Sequence, residues 1–97
     1  MDEQQTRLAV QAHADAVVSG DIDHVVSDFV EEMRAAVPEI ARTLPDPVSA
    51  AEVRSLEVGA DEAVAEISYT GAGRTVTIRS RWREVEGRPQ IFAGEPV

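Results

Sequence analysis

The side chains of this sequence that could take part in acid–base chemistry are two histidines, His13 and His24, and 18 carboxylates. Histidine has an unperturbed pKa of about 6.5, so His13 could serve as an acid, a base or a polar anchor in a ligand pocket. The same residue could equally be a half-buried helix histidine that bonds to the backbone or to water. Both interpretations of His13 stay open on the sequence alone.

A metal site is the second chemistry to weigh. Asp15 follows His13 by two residues, which places the two side chains on different faces of a helix, and His24 lies beyond Gly20. Because no third ligand converges at helical spacing, we expect no metal and no cofactor. Cysteine is absent, which excludes disulfides and thiolate ligands. Thr43, Ser49, Ser68 and Ser80 have no adjacent arrangement of a histidine and an acid, so nucleophilic catalysis has no support.

Charge is distributed unevenly along the 97 residues, whose formal net charge is −9. Residues 1–70 hold 15 acidic residues and 4 arginines, whereas residues 71–97 hold 3 acidic residues and 5 arginines. An acidic body repels phosphate, so we expect no nucleic-acid partner. The acidic start MDEQQTRLAV is no secretory signal, and no apolar run approaches the roughly 18–20 residues of a membrane span. We therefore expect a soluble cytoplasmic protein with no membrane partner.

The spacing of apolar residues in the first half predicts helices that could position His13. Residues 2–19 contain no glycine or proline, and Leu8, Ala12 and Ala16 recur every fourth residue, which predicts a helix with these residues facing the core. Gly20 ends this helix, since glycine readily takes the left-handed conformation of a helix terminus.

A second stripe of apolar residues at steps of three and four predicts helices over about 22–36 and 38–44, separated by a break at Pro38, which lacks a backbone donor. The acids of this segment are expected to form a solvated helix face; they are Asp28, Glu31 and Glu32.

Period-two alternation in the second half predicts strands over about 52–58, 62–70, 75–85 and 89–95. One face carries Tyr69 and Trp82, and the opposite face carries Arg79, Arg81 and Arg83. The fold class is therefore α+β, with one domain over residues 1–97 in which the helices pack on one face of a curved four-stranded antiparallel sheet.

The register of the sheet follows from keeping each side chain on its own face. A four-residue loop over residues 71–74 pairs Ile67 with Ile78 and Ala63 with Trp82, and we prefer it to a two-residue loop that pairs Glu66 with Thr77. On the outer face it sets Glu66 opposite Arg79 and Glu62 opposite Arg83. A second hairpin turning at Glu86-Gly87 pairs Trp82 with Ile91 and Arg81 with Phe92.

This order of elements resembles the nuclear transport factor 2-like superfamily, a cone-shaped (cystatin-like) fold that includes ketosteroid isomerases and polyketide cyclases. The resemblance rests on residues 12–23 (AHADAVVSGDID), 28–32 (DFVEE) and 81–89 (RWREVEGRP). It implies a cone whose pocket opens beside the first helix. The pocket candidates are His13, Val17, Tyr69 and Trp82. For Tyr69 and Trp82 we favour core packing, with a role as pocket walls as the alternative.

The chain departs from the isomerases at both catalytic groups. His13 stands where their oxyanion-donating tyrosine is found, and residues 33–38 (MRAAVP) carry no acid in place of their catalytic aspartate. The resemblance therefore implies a non-enzymatic binding or interaction domain. The alternative is a small isomerase- or cyclase-type enzyme that uses His13 as acid or base in an apolar pocket. A cavity of at least about 300 Å³ beside His13 would favour the enzyme.

The outer sheet face combines arginine with apolar side chains. Arginine is enriched at subunit interfaces, and a mixed Arg/Glu pattern can complement itself across a two-fold axis. We therefore expect a homodimer through this face rather than a solvated surface. The interface candidates are Arg79, Arg81, Arg83 and Phe92.

Overall fold

A computed structural model describes all 97 residues as helices followed by a four-stranded antiparallel sheet, which confirms the α+β class. Three α-helices and a 3₁₀ helix precede the strands, which follow one another in the sheet in the order of the chain. The elements are α1 (Glu3–Ser19), α2 (Ile22–Ser27), the 3₁₀ helix (Glu31–Ala36), α3 (Val37–Ala41), β1 (Ala50–Val58), β2 (Glu62–Gly71), β3 (Arg74–Val85) and β4 (Arg88–Pro96).

Helix α1 departs from the predicted core-facing stripe at Leu8, whereas Ala16 is buried as predicted. Its N-cap is Asp2, whose carboxylate accepts from the Gln5 N–H at 2.7 Å, and Gly20 ends it with a φ of 74°. Leu8 is 65% exposed, so the expected stripe is wrong at that residue. The buried positions are instead Thr6, Val10, His13, Ala14 and Ala16. Thr6 can be buried because its hydroxyl donates to the Asp2 carbonyl.

The helix expected over about 22–36 is interrupted in its middle. Helix α2 ends at Ser27 because the next residues form backbone hydrogen bonds with the edge of the sheet. The Ile91 N–H donates to the Asp28 carbonyl at 2.7 Å, and the Val30 N–H donates to the Ile91 carbonyl at 2.9 Å. This bridge turns Asp28 inward, so the expectation that Asp28 lies on a solvated face is wrong.

The predicted pairing of β2 with β3 is confirmed. Ile67 faces Ile78 and Ala63 faces Trp82, as the alternation requires. The loop is shorter than expected, because Gly71 and Arg74 themselves pair and leave a two-residue turn. Ala72 and Gly73 form that turn with φ values of 50° and 78°, a combination typical of tight hairpins.

The pairing of β3 with β4 is confirmed at Trp82 and Ile91 but shifts beyond them. A bulge leaves Phe92 unpaired, so Arg81 faces Ala93 and the expected Arg81–Phe92 pair is wrong. The Phe92 ring nevertheless lies close to two guanidinium groups, 5.6 Å from that of Arg81 and 5.4 Å from that of Arg83. The bulge thus places an aromatic ring between two cations on the outer face.

The core lies between the helices and the inner face of the sheet, with Trp82 at its centre and 0% exposed. Its indole N–H donates to the Ser80 hydroxyl at 2.9 Å, so the large side chain is buried with its polar atom satisfied. None of the helices combines the length and the apolar character that crossing a bilayer requires.

Candidate functional site

A cavity of about 50 Å³ lies between the helices and the inner face of the sheet. Eleven of its 14 lining residues are hydrophobic, so its walls offer an apolar environment. The side chains that matter for chemistry are His13 on α1, Tyr69 on β2 and Ser80 on β3.

A buried carboxylate, that of Asp28, stands beside this cavity, accepts hydrogen bonds from His13 and Arg88, and lies close to His24. Its Oδ2 lies 2.8 Å from His13 Nδ1 and 3.3 Å from His24 Nε2, and its Oδ1 lies 3.1 Å from Arg88 Nη2. The Asp28 side chain is only 6% exposed. These three contacts offset the cost of removing a charge from water, which is several kcal/mol for an unpaired ion.

The contact with Asp28 fixes the orientation of the His13 ring. A carboxylate only accepts hydrogen bonds, so the facing Nδ1 of His13 carries a proton. Phe29 and Trp82 contact the imidazole edge-on, with ring centroids 5.9 and 5.7 Å away. The second ring nitrogen, Nε2, has no partner within the chain. In the neutral ring Nε2 is therefore a hydrogen-bond acceptor.

Tyr69 provides the complementary group, a hydroxyl that can donate. The residue is 3% exposed, and its hydroxyl makes no hydrogen bond within the chain. Since every fully enclosed side-chain nitrogen or oxygen does have a partner, this hydroxyl is not fully enclosed, and Tyr69 is one of the residues that line the cavity. Burial raises the pKa of Tyr69 well above its ordinary value, and the nearby Asp28 carboxylate adds to the shift. Tyr69 therefore remains protonated at neutral pH.

The remaining polar lining group, Ser80, has no donor to offer a ligand. Its hydroxyl donates to the Ala65 carbonyl at 3.3 Å and accepts from the Trp82 indole, which leaves one acceptor lone pair. With His13 neutral, the Tyr69 hydroxyl is therefore the one unused side-chain donor among lining residues that are mostly apolar. At about 50 Å³ the cavity has room for roughly three to five water-sized groups, since each needs about 10–15 Å³.

Three of the four pocket residues named from the sequence line this cavity: His13, Val17 and Tyr69. Trp82 does not line it and packs behind His13 as core. Sequence reasoning missed Asp28, His24 and Arg88 as a group, because they come from two separate parts of the chain. One available signal was the setting of Asp28 within the apolar run VVSDFV, which is unusual for a solvated acid.

No three histidine, aspartate or glutamate side chains are grouped so that they could hold a metal ion. His13 and His24 lie on either side of Gly20 and were expected to be separated. Both nevertheless contact the same oxygen of Asp28, Oδ2. Asp15 is exposed and bonds to Gln11 instead.

The outer sheet face brings the arginines and Phe92 together. Arg79 pairs with Glu66 at 3.0 Å, Arg81 pairs with Glu62, and Arg83 reaches Glu32 at 3.0 Å. Glu62 thus faces Arg83 in the ladder but bonds to its diagonal neighbour. The pKa of Glu32 lies below its ordinary value because its own backbone N–H bonds to it, with a further contribution from Arg83. Such exposed pairs contribute little to stability, because water and salt screen them.

No protein-family profile matches the sequence, and no curated protein matches it. Solved structures do match. An NTF-2 like protein of unknown function from Burkholderia xenovorans LB400 superposes with a TM-score of 0.71 at 18% identity, over 97% of this chain and 84% of that one. A SEC-C motif containing protein from Rhodopseudomonas palustris superposes with a TM-score of 0.69 at 19% identity, over 92% and 76%. The chain therefore has the NTF-2-like fold that the resemblance implied.

Proposed function

We propose that this domain binds a small, neutral, largely apolar molecule in the cavity beside His13. The observation that supports this most is the Tyr69 hydroxyl, a buried donor that borders an apolar cavity and has no partner within the chain. The chain leaves this donor unused, and a ligand carbonyl or hydroxyl could accept a hydrogen bond from it. His13 Nε2 offers an acceptor in the same cavity. The cavity falls far below about 300 Å³, which favours a small ligand over a steroid-sized substrate.

The test uses 2-butanone, whose five heavy atoms match the cavity, in a methyl NMR titration of the protein. We expect shifts confined to the isoleucines that line the cavity, Ile67, Ile78 and Ile91. Val17→Phe should fill the cavity and abolish these shifts, and Ala41→Phe is a second blocking variant on α3. Leu8→Phe, on the exposed face of α1, is the matched control and should bind normally. Shifts that are absent, or that survive both blocking variants, would contradict the proposal.

A second candidate function, acid–base catalysis of the isomerase or cyclase type, is favoured by one specific observation. The buried Asp28 carboxylate orients His13 so that its free Nε2 could remove a proton from a bound ketone. Deuterium exchange into 2-butanone in D₂O measures such enolisation directly. A catalytic site would accelerate exchange above the buffer rate and lose the acceleration in His13→Gln. Exchange at the buffer rate would contradict catalysis and would leave binding as the only proposed function.

Association is a further part of the proposed function. The outer face pairs arginines with glutamates around the half-buried Phe92, and a two-fold related copy would meet the same alternation of charge. We propose that two copies pack through this face. Packing Phe92 and the stems of Arg81 and Arg83 against a partner would remove apolar surface from water.

A further inference from the structure

A groove of about 710 Å³ adjoins the cavity on the side of α1, α3 and the segment that follows α3. Three residues, Val17, Ala41 and Leu44, line both the groove and the cavity. The two spaces are therefore neighbours that share these residues in their walls. One wall of the groove is formed by residues 45–48.

The groove contains apolar side chains that the chain itself leaves uncovered. Ile22 is 66% exposed and Val18 is 37% exposed, and both line the groove. They lie at the end of α1 and the start of α2, beside the residues that separate groove and cavity. An elongated molecule needs aliphatic surface at one end of its site and a hydrogen-bonding group at the other. The exposed aliphatic side chains of the groove and the buried donor beside them provide these two ends.

We propose that cavity and groove form one continuous site for an elongated neutral molecule with a carbonyl or hydroxyl group at one end and an aliphatic chain. The polar end enters the cavity and meets Tyr69 and His13, and the chain passes between Val17 and Leu44 to lie on Val18 and Ile22. This inference rests on the proposed function, since it extends the same cavity outward.

The charged groups around the cavity favour a ligand whose polar end is neutral. No arginine lines the cavity, and the buried carboxylate closest to its polar end is Asp28. The one arginine on Asp28, Arg88, bonds to it and to the Ser27 carbonyl and does not line the cavity. A ligand carboxylate would lose its water here and gain no cation, which costs far more than burying a ketone.

The experiment compares three ligands by methyl NMR titration: 2-butanone, 2-octanone and octanoate. Each methylene that becomes fully buried strengthens binding about fourfold, and about half of that is expected in an open groove. The four additional methylenes of 2-octanone should therefore tighten binding roughly 10- to 100-fold over 2-butanone. Only 2-octanone should also shift the methyl groups of Val18 and Ile22. Octanoate should bind at least about tenfold more weakly than 2-octanone.

Ile22→Asn should remove most of the gain from the longer chain and leave 2-butanone binding unchanged. Leu8→Asn, an equally exposed position outside both spaces, is the control and should change neither. Three results would overturn the inference while the proposed function stands: equal affinity for the two ketones, equal affinity for octanoate and 2-octanone, or dissociation of a dimer by Ile22→Asn, which would make the groove a subunit interface. If neither ketone shifts the methyl groups that line the cavity, both the proposed function and this inference are contradicted.

Discussion

His13 and Asp28, 15 residues apart in sequence, meet with Nδ1 2.8 Å from Oδ2 and both side chains more than nine-tenths buried. The pair connects α1 to the segment that bridges to β4. It leaves the opposite nitrogen of the His13 ring without a partner within the chain, and His13 is one of the residues that line the cavity. Asp28 therefore acts as a positioning residue for the polar end of the proposed site.

Replacing Asp28 should separate its structural role from its effect on His13. We expect Asp28→Ala to lower the free energy of unfolding by about 3 kcal/mol, because His13 and Arg88 lose the acceptor of their hydrogen bonds and His24 loses its carboxylate neighbour. Asp28→Asn should cost less, since the amide oxygen still accepts. Urea unfolding measures both, and Asp15→Ala on the exposed side of α1 should change stability by less than about 0.5 kcal/mol.

The His13 tautomer gives this prediction a readout that stability alone does not supply. In the wild type, ¹⁵N NMR should show the proton on Nδ1, and in Asp28→Ala the Nε2-protonated form should gain population. A wild-type ring that already carries its neutral-state proton on Nε2 would show that the carboxylate does not position it.

Tyr69 is the only tyrosine of the chain, so its ionisation can be followed by tyrosinate absorbance without interference from others. Its pKa in the folded protein is raised above the ordinary value of 10.0, so the folded state stays protonated where the unfolded chain ionises. Its contribution to stability is therefore fully present below pH 10 and falls as the pH rises beyond it. We expect tyrosinate to appear only together with unfolding. A reversible transition near pH 10 in the folded protein would contradict the burial.

Gly71 lacks a side chain because the backbone of the loop before β1 occupies the space. A Cβ there would lie 2.0 Å from the Pro47 carbonyl oxygen. Gly71→Ala should therefore displace residues 45–47, the wall of the groove, and cost about 1–3 kcal/mol in thermal or urea unfolding. Gly94→Ala is the control, since a Cβ there meets its neighbours only at 3.9 Å. Equal stabilities for the two variants would count against the close approach.

The proposed dimer can be tested by sedimentation equilibrium. Wild-type protein should sediment with twice the monomer mass of 10.5 kDa at micromolar concentration. Arg81→Glu should halve that mass, because it places a second acid beside Glu62 in the proposed interface. Arg42→Glu, at an exposed arginine beside the groove, should leave the mass unchanged. Wild-type protein that sediments as a monomer would contradict the proposed dimer interface.

The sheet could be predicted closely from the sequence because period-two alternation leaves few choices. Once Ile67 and Trp82 must share a face, the register of β2 with β3 follows, and the structure has that register. The error lies at Phe92, where a bulge inserts one residue. Alternation on either side of a bulge looks regular, so its position depends on contacts between strands that sequence spacing does not encode.

The ends of the helices and the residues of the site were harder to predict, and both for the same reason. Asp28 has helical neighbours on both sides, yet its carbonyl and the Val30 N–H bond to Ile91 on β4, more than 60 residues away. Local propensity cannot anticipate that contact, which ends α2 and turns the carboxylate inward. His13 was singled out by its residue type, whereas its partners His24 and Arg88 gather only through the tertiary fold.

The most direct test of the proposed binding site is the affinity of Tyr69→Phe for 2-octanone, measured together with its stability. The hydroxyl has no partner within the chain, so its removal should leave the free energy of unfolding at pH 7 unchanged within about 0.5 kcal/mol. Loss of its hydrogen bond to the ketone should weaken binding by about 3- to 12-fold. Unchanged affinity for the ketone would contradict the role of Tyr69, and a stability loss above about 1 kcal/mol would show that the hydroxyl is bonded within the fold.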